Sequence, residues 1–275
     1  MVNKIRANQI RLYYSSSRLL HQLREHSLYR LFFFDPNHIW LASYPRSGNT
    51  WLRRMLHELL LDEPSDLQKI RFSIPDIHNK WDIFNIKQAP TNFVKTHFPY
   101  TNYCKKVIYL IRNPLDVIYS YWNLEKKANQ SVLSLDQIIE RETTFGGLYG
   151  RWDKHIISYL NSELSPQKIL FIHYEKLISD PLDTLEVILK FCEIYYPKHK
   201  LEKVVASSID IFLNEKQKIG KSYEQKKQTI FDIQIDKGLK QLNNEQIKII
   251  LNSPIGTAAV ALGYFNDLID YSHNR

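Results

Sequence analysis

The chain has 275 residues, 44 % of them hydrophobic and 24 % charged, an ordinary globular balance that excludes a wholly disordered protein. With 37 Lys+Arg against 29 Asp+Glu, the formal net charge is +8, which suits an anionic ligand, a nucleic acid or a membrane surface without choosing among them. The 2 cysteines, Cys104 and Cys192, are far apart and make neither a disulfide framework nor a metal-binding CxxC, and no apolar run approaches the ~18 residues that span a bilayer.

Residues 1–34 are basic and poor in acids, with Leu19, Leu20, Leu23, Leu28 and Leu31 at roughly helical spacing. They read as an N-terminal extension or helix ahead of one domain over 35–275. Such a start suits a transit peptide or a membrane-surface helix, but the default reading is a helix packed on the domain with its charges in water. Ile39–Ser43 is a short apolar run with the character of a strand buried on both faces. The turn 44–49 follows, then a helical pattern from Thr50 to about Leu61. Further strands are expected at 92–96, 107–111 and 168–172. Asn113 and Pro114 read as N-cap and first position of a helix, and another helix is expected from Pro181 to about Cys192. Residues 214–240, rich in lysine, read as a mobile basic loop. Strands separated by helices predict an α/β domain: three layers, a mostly parallel sheet flanked by helices, and a helical C-terminal part.

In such sheets ligands bind where strands end and helices begin. At 44–51, Tyr-Pro-Arg-Ser-Gly-Asn-Thr-Trp places small residues there. Backbone N–H groups, the Ser47 and Thr50 hydroxyls and the positive end of a helix dipole then converge into an anion cradle. This is not a Walker A loop, because the first glycine and the Lys-Ser/Thr pair are missing. The strand 107–111 is followed by Arg112 and not by a Walker-B aspartate, so the site collects anions and has no Mg²⁺ ligand in view. The histidines show no metal-ligand spacing. Trp81, Phe84, Phe98, Tyr100 and Trp122 could line an acceptor pocket, but core packing is the default reading for each.

The combination of Tyr44-Pro45-Arg46-Ser47-Gly48-Asn49-Thr50-Trp51, Lys95-Thr96-His97-Phe98-Pro99 and Arg112-Asn113-Pro114-Leu115-Asp116-Val117 with Ser120-Tyr121 resembles the cytosolic-type sulfotransferases. These use 3′-phosphoadenosine-5′-phosphosulfate (PAPS). The resemblance runs from about 38 to 210, with a weaker echo to about 250. It implies a P-loop-kinase-like sheet, no metal, and sulfuryl transfer to a hydroxyl or amine. His97 would be the general base, with Lys95 and Arg46 stabilising charge. Arg46, Ser47, Gly48, Asn49 and Thr50 would hold the 5′-phosphosulfate, and Trp51, Tyr174 and Ser207 would lie near adenine. Arg112, Ser120, Lys237 and Gly238 would serve the 3′-phosphate. A small-molecule, lipid or glycan acceptor, no nucleic-acid partner and a cytoplasmic setting, with membrane contact confined to the basic start, follow from the same likeness.

Two departures stand out. Arg46 occupies a position where better-studied members carry lysine; it keeps the positive charge but does not readily give up a proton. Asp236-Lys237-Gly238 stands where the family has Arg-Lys-Gly, placing a carboxylate where a phosphate is expected. The 236–238 departure and the basic 214–240 stretch motivate one alternative, a catalytically impaired nucleotide- or polyanion-binding module; a second is a phosphotransferase on the same fold, which would need Mg²⁺ ligands.

Overall fold

The computed structural model describes residues 35–127, 133–215 and 235–265. The basic start, residues 1–34, and most of the lysine-rich 214–240 stretch lie outside the described residues. In chain order the first elements are β1 (Ile39–Ser43), α1 (Asn49–Leu61), α2 (Leu67–Ser73), α3 (Lys80–Ile83), β2 (Phe93–Thr96) and β3 (Lys106–Ile111). Then come α4 (Pro114–Lys127), α5 (Leu135–Thr144), α6 (Trp152–Leu160), β4 (Ile169–His173), α7 (Tyr174–Ser179) and α8 (Pro181–Cys192). The last are α9 (Lys198–Glu215), α10 (Lys237–Gln241), α11 (Asn244–Leu251) and α12 (Pro254–Ala261). All four expected strands are present, and the α/β class with a parallel sheet is borne out. The described residues fall into two compact units. One holds 35–112, 161–215 and Ile235, and the other holds 113–127, 133–160 and 236–265.

In the first unit the strands form one parallel sheet in the order β2-β1-β3-β4. Every residue of β1 is buried, as its unbroken apolar run predicts for a central strand. Ile39, Leu41, Ile108, Leu110 and Ile172 form one core with Leu52, Met55 and Leu56 of α1 and with Leu185 and Ile188 of α8. Burying each such side chain contributes about 1.5–3 kcal/mol. Trp40, Tyr109 and Phe171 stand on the opposite face by the two-residue alternation of a strand. There the Tyr103 ring lies 5.5 Å from Trp40, and Tyr109 lies 5.7 Å from Phe171.

The expectation that helices separate the strands fails once. Residues 97–105 join β2 to β3 without a helix and are anchored by buried Phe98, Tyr103 and Cys104. The outer edge of β2 is closed by residues 75–77: the Lys95 N–H donates to Pro75 O (2.8 Å) and the Ile77 N–H to Lys95 O (3.2 Å). A bare edge strand is thereby avoided. Helix α1 is buried nearly all round, so its polar residues need internal partners. Arg53 donates to the carbonyls of Ile70 and Ile74, and His57 meets Ser73 Oγ at 2.8 Å. Both cysteine thiols are buried and pushed up to about 12 by that burial, which leaves them unreactive.

In the second unit, Asn113 Oδ1 accepts from the Leu115 N–H at 2.9 Å and Pro114 opens α4, as expected. Capping boxes start α5 (Ser134 with Gln137) and α11 (Asn243 with Gln246). Gln246 also reaches Asp136 at 2.6 Å. Buried Asp116 accepts from the Gly238 N–H at 2.7 Å. The chain runs so close here that a Cβ on Gly238 would sit 2.3 Å from the Leu115 carbonyl carbon, so only glycine fits. No helix among the described residues is long and apolar enough to cross a membrane.

Candidate active site

The connection leaving β1 leads to β2 on one side, whereas the chain after β3 returns as β4 on the other. Loops therefore part between the carboxyl ends of β1 and β3, the place where open α/β sheets make a crevice. Residues 44–48 occupy it. Arg46 (φ 71°) and Gly48 (φ 89°) are both left-handed, and Gly48 is the N-cap of α1 with no side chain to close the first turn. The N–H groups opening α1 are thus turned into the loop's concavity.

Three side chains brace this loop. Asn49 Nδ2 donates to Leu41 O (3.0 Å) and Ser43 Oγ (3.3 Å), so the amide ties helix to strand and the residue faces the cradle with its backbone. Arg112 Nη1 donates to Arg46 O at 2.9 Å, while its guanidinium lies 4.4 Å from the centre of the Tyr174 ring. That ring fills the space beside Gly48, where a Cβ would come within 2.2 Å of it. Tyr174 is therefore held between Arg112 and the loop glycine.

Several buried polar atoms around the cradle have no hydrogen-bond partner: Ser47 Oγ, Trp51 Nε1 and Ser208 Oγ. Buried polar groups are normally satisfied, so these three atoms have hydrogen-bonding capacity that the protein does not use. Trp51 is both a core residue and a cradle residue; its ring stacks on Phe212 of α9 at 6.2 Å. In the 207–209 segment, Ser207 is half-buried, Ile209 belongs to the core, and Ser208 carries the buried hydroxyl. Arg46 and Thr50 are exposed at the rim.

At the carboxyl end of β2 stands His97. Its Nδ1 is 2.7 Å from Ser43 O. A carbonyl only accepts, so Nδ1 carries the proton and Nε2 is the ring's acceptor. Burial, then the charge of Lys95, hold the His97 pKa well below its ordinary value, against smaller opposing effects of Asp76 and the Ser43 bond. The imidazole is neutral at pH 7. Lys95 is not a lone cation: its Nζ pairs with Asp76, and both are largely buried. Burial opposes the charge of Asp76, yet the charge of Lys95 and its hydrogen bond hold the carboxyl below the usual range. Burial also lowers the Lys95 ammonium pKa.

Sequence reasoning missed Asp76 and His78. The His97 N–H donates to His78 Nε2 at 2.6 Å, and the rings stack at 5.6 Å with planes 18° apart. Only the side-chain types, an acid and a histidine two apart, hinted at this. Core packing holds for Phe98 but is corrected for Trp81 and Phe84, which are 69 % and 62 % exposed; they lie on and just after the short α3, too near the surface to be enclosed. Ser120, half-buried on α4, and Lys237 and Gly238 on α10 belong to the other unit and rest on motif alone. Among the described residues no group of three or more His, Cys, Asp or Glu is placed to hold a metal ion.

Comparison with known proteins adds to this geometry. A rat protein named sulfotransferase 1 family member D1 is 27 % identical over 195 residues, covering 63 % of this chain and 64 % of the relative. Flavonol 3-sulfotransferase of Flaveria bidentis is 26 % identical over 203 residues, covering 66 % and 65 %. The chain thus spans slightly less than two thirds of the length of these curated relatives. Among solved structures, mouse sulfotransferase SULT7A1 complexed with PAP superposes with a TM-score of 0.58 at 21 % identity, over 78 % of this chain and 82 % of that one. Retinol dehydratase in complex with androsterone and the inactive cofactor PAP gives 0.61 at 16 % identity, over 87 % and 85 %. These likenesses show a shared fold. The family model described as the sulfotransferase domain matches residues 36–248, well over half of the chain and inclusive of the loop, the Lys-Thr-His segment and Arg112, and the chain belongs to that family.

Proposed function

We propose that the protein transfers a sulfuryl group from PAPS to a hydroxyl-bearing small-molecule acceptor. One observation carries the reading: an uncapped helix N-terminus and a neutral histidine with its proton fixed on Nδ1 meet at the carboxyl ends of neighbouring strands. The first suits a phosphosulfate; the second suits deprotonation of an alcohol. The residues present fit the nucleotide, because Ser47, Trp51 and Ser208 offer buried polar atoms without protein partners and Gly48 leaves the loop backbone open.

When bound, PAPS supplies an activated sulfuryl group. Ser47 Oγ and the N–H groups from Ser47 to Thr50 would hold its 5′ anion, with Arg46 at the exposed rim adding positive charge. Arg112 is the cation for the 3′-phosphate, and Trp51, Tyr174, Ser207 and Ser208 form the adenine side. His97 Nε2 takes the acceptor's hydroxyl proton, and the Lys95–Asp76 pair keeps an ammonium beside it at little net charge. The relatives' names include a flavonol sulfotransferase, and one structural neighbour was solved with androsterone; small phenols and alcohols are accordingly the acceptors to try first.

The test is to incubate the protein with PAPS and a cell extract and to seek products heavier by about 80 Da, the mass of an added SO₃. Activity that survives EDTA is expected, since Arg46, Lys95 and backbone N–H groups would supply the charge that Mg²⁺ supplies in kinases. Activity lost on chelation and restored by Mg²⁺ would favour the phosphotransferase alternative.

A further inference from the structure

The chain leaves the sheet after Thr96, so the His97 N–H has no ladder partner on a neighbouring strand. A buried donor in that position must find an acceptor. It finds His78 Nε2 at 2.6 Å, which requires His78 to be neutral with its proton on Nδ1. The same His78 ring stacks on the His97 ring, and the Phe98 ring meets it edge-on at 4.3 Å. His78 is itself held: its N–H donates to Asp76 Oδ1 at 3.0 Å, and Asp76 in turn pairs with Lys95. The segment 75–77 is fixed to β2 by two backbone bonds. Each functional side chain of Lys95-Thr96-His97 is thus tied to one residue of Asp76-Ile77-His78.

We propose that His78 is a positioning residue for His97, its Nε2 fixing the His97 backbone while its ring fixes the plane of the imidazole. The inference rests on the assignment of His97 as the base. The two contacts divide the work: the N–H bond sets where the residue leaves the strand, and the stack sets which way Nε2 points. With His78 gone, the His97 N–H is buried without a partner, the backbone turns to find one, and the bond from Nδ1 to Ser43 O loosens. A base displaced by an ångström loses on the order of 10²-fold in rate.

The experiment compares His78→Phe, His78→Gln and His78→Asn in the full chain. Phenylalanine keeps a ring to stack but has no acceptor. Glutamine can place its amide oxygen near the position of Nε2, whereas the shorter asparagine reaches only as far as Nδ1. Long-range ¹⁵N spectra of the His97 ring are the primary readout and need no acceptor. Wild type and His78→Gln should show a single Nδ1-protonated tautomer at neutral pH, and His78→Phe and His78→Asn a mixture or exchange-broadened signals. With PAPS and whichever simple phenol or aliphatic alcohol the wild type sulfates, His78→Phe should lower kcat by about 10–10²-fold, on the scale of a misplaced base, with the KM for PAPS changed less than about two-fold. His78→Gln restores the acceptor but not the stack, so its kcat should lie between those of His78→Phe and wild type, within about ten-fold of wild type. If His78→Phe does not fold, the Gln and Asn pair decides alone. An unchanged tautomer and turnover in His78→Phe, or equal behaviour of Gln and Asn, would overturn the proposal. Full turnover in His97→Ala would instead remove His97 as the base, and the spectra would still judge whether His78 orients its ring.

Discussion

Replacing Gly48 by alanine tests the cradle at its tightest point. Two costs add. The backbone there has φ 89°, a left-handed conformation that costs an L-residue about 1–2 kcal/mol. The new Cβ would also lie 2.2 and 2.3 Å from two carbons of the Tyr174 ring, where carbon atoms prefer about 3.5–4.0 Å. The ring must retreat by more than about an ångström. It cannot do so freely, because it is 4 % exposed and the Arg112 guanidinium lies against it. Overpacking of this kind costs about 1–3 kcal/mol, so Gly48→Ala should destabilise by about 2–5 kcal/mol in all. Urea unfolding of Gly48→Ala, Tyr174→Ala and the double variant separates the two contributions. Removing the ring should relieve the clash and leave the backbone strain, a coupling of about 1–3 kcal/mol. Costs that add within about 0.5 kcal/mol would refute the contact between Tyr174 and the loop.

Other outcomes are expected at the same site. His97→Ala should lower kcat by about 10²–10⁴-fold with nearly unchanged affinity for adenosine 3′,5′-bisphosphate; unfolding of the variant, or undiminished turnover, would make the residue structural. Calorimetric titration should show that nucleotide binding more tightly than AMP, and Arg112→Ala should weaken it by roughly 10²-fold; equal affinity for the two nucleotides would remove the 3′-phosphate role. Stability should fall as pH drops. The folded pKa values of His97 and His57 lie below the unfolded value of 6.5, so the unfolded chain binds more protons. Their contribution is present above about pH 6.5 and is lost progressively below it. The urea midpoint should therefore decline between about pH 7 and 5, less steeply in His97→Asn, and a flat midpoint would contradict the buried neutral state of these rings.

The strands were legible because each is a short apolar run ended by a turn residue; β1 and β3 lie within a residue of their expected bounds. The starts of α4 and α8 were legible through Pro114 and Pro181, whose fixed φ suits a first helical position. The pairing of residues 75–77 with β2 was not, because it is made by backbone groups that every residue carries. Asp76 and His78 consequently carried no signal beyond their side-chain types, although they hold Lys95 and His97. The loop 44–51 was legible as a turn from strand into helix from its small residues and glycine. That Asn49 would turn its amide toward a strand carbonyl depends on the register between α1 and β1, which no local pattern encodes. Trp81 and Phe84 misled for the converse reason: aromatic type predicts burial only where other elements arrive to cover it.

The strand order has a consequence for how the molecule is made. No two strands that pair are joined by a hairpin. Residue Ile39 lies opposite Phe93 on one side and Lys106 on the other, so the central strand gains its neighbours only after distant parts of the chain have met. Loop-closure entropy is spent before any sheet bond repays it, and parallel sheets of this kind assemble slowly with apolar runs exposed meanwhile. Until β2 and β3 flank it, the Ile39–Ser43 segment is an apolar strand with both edges bare. Helix α1, which follows β1 directly, is the nearest surface on which that strand can shelter, and refolding yield is expected to depend on protein concentration and temperature more than on final stability.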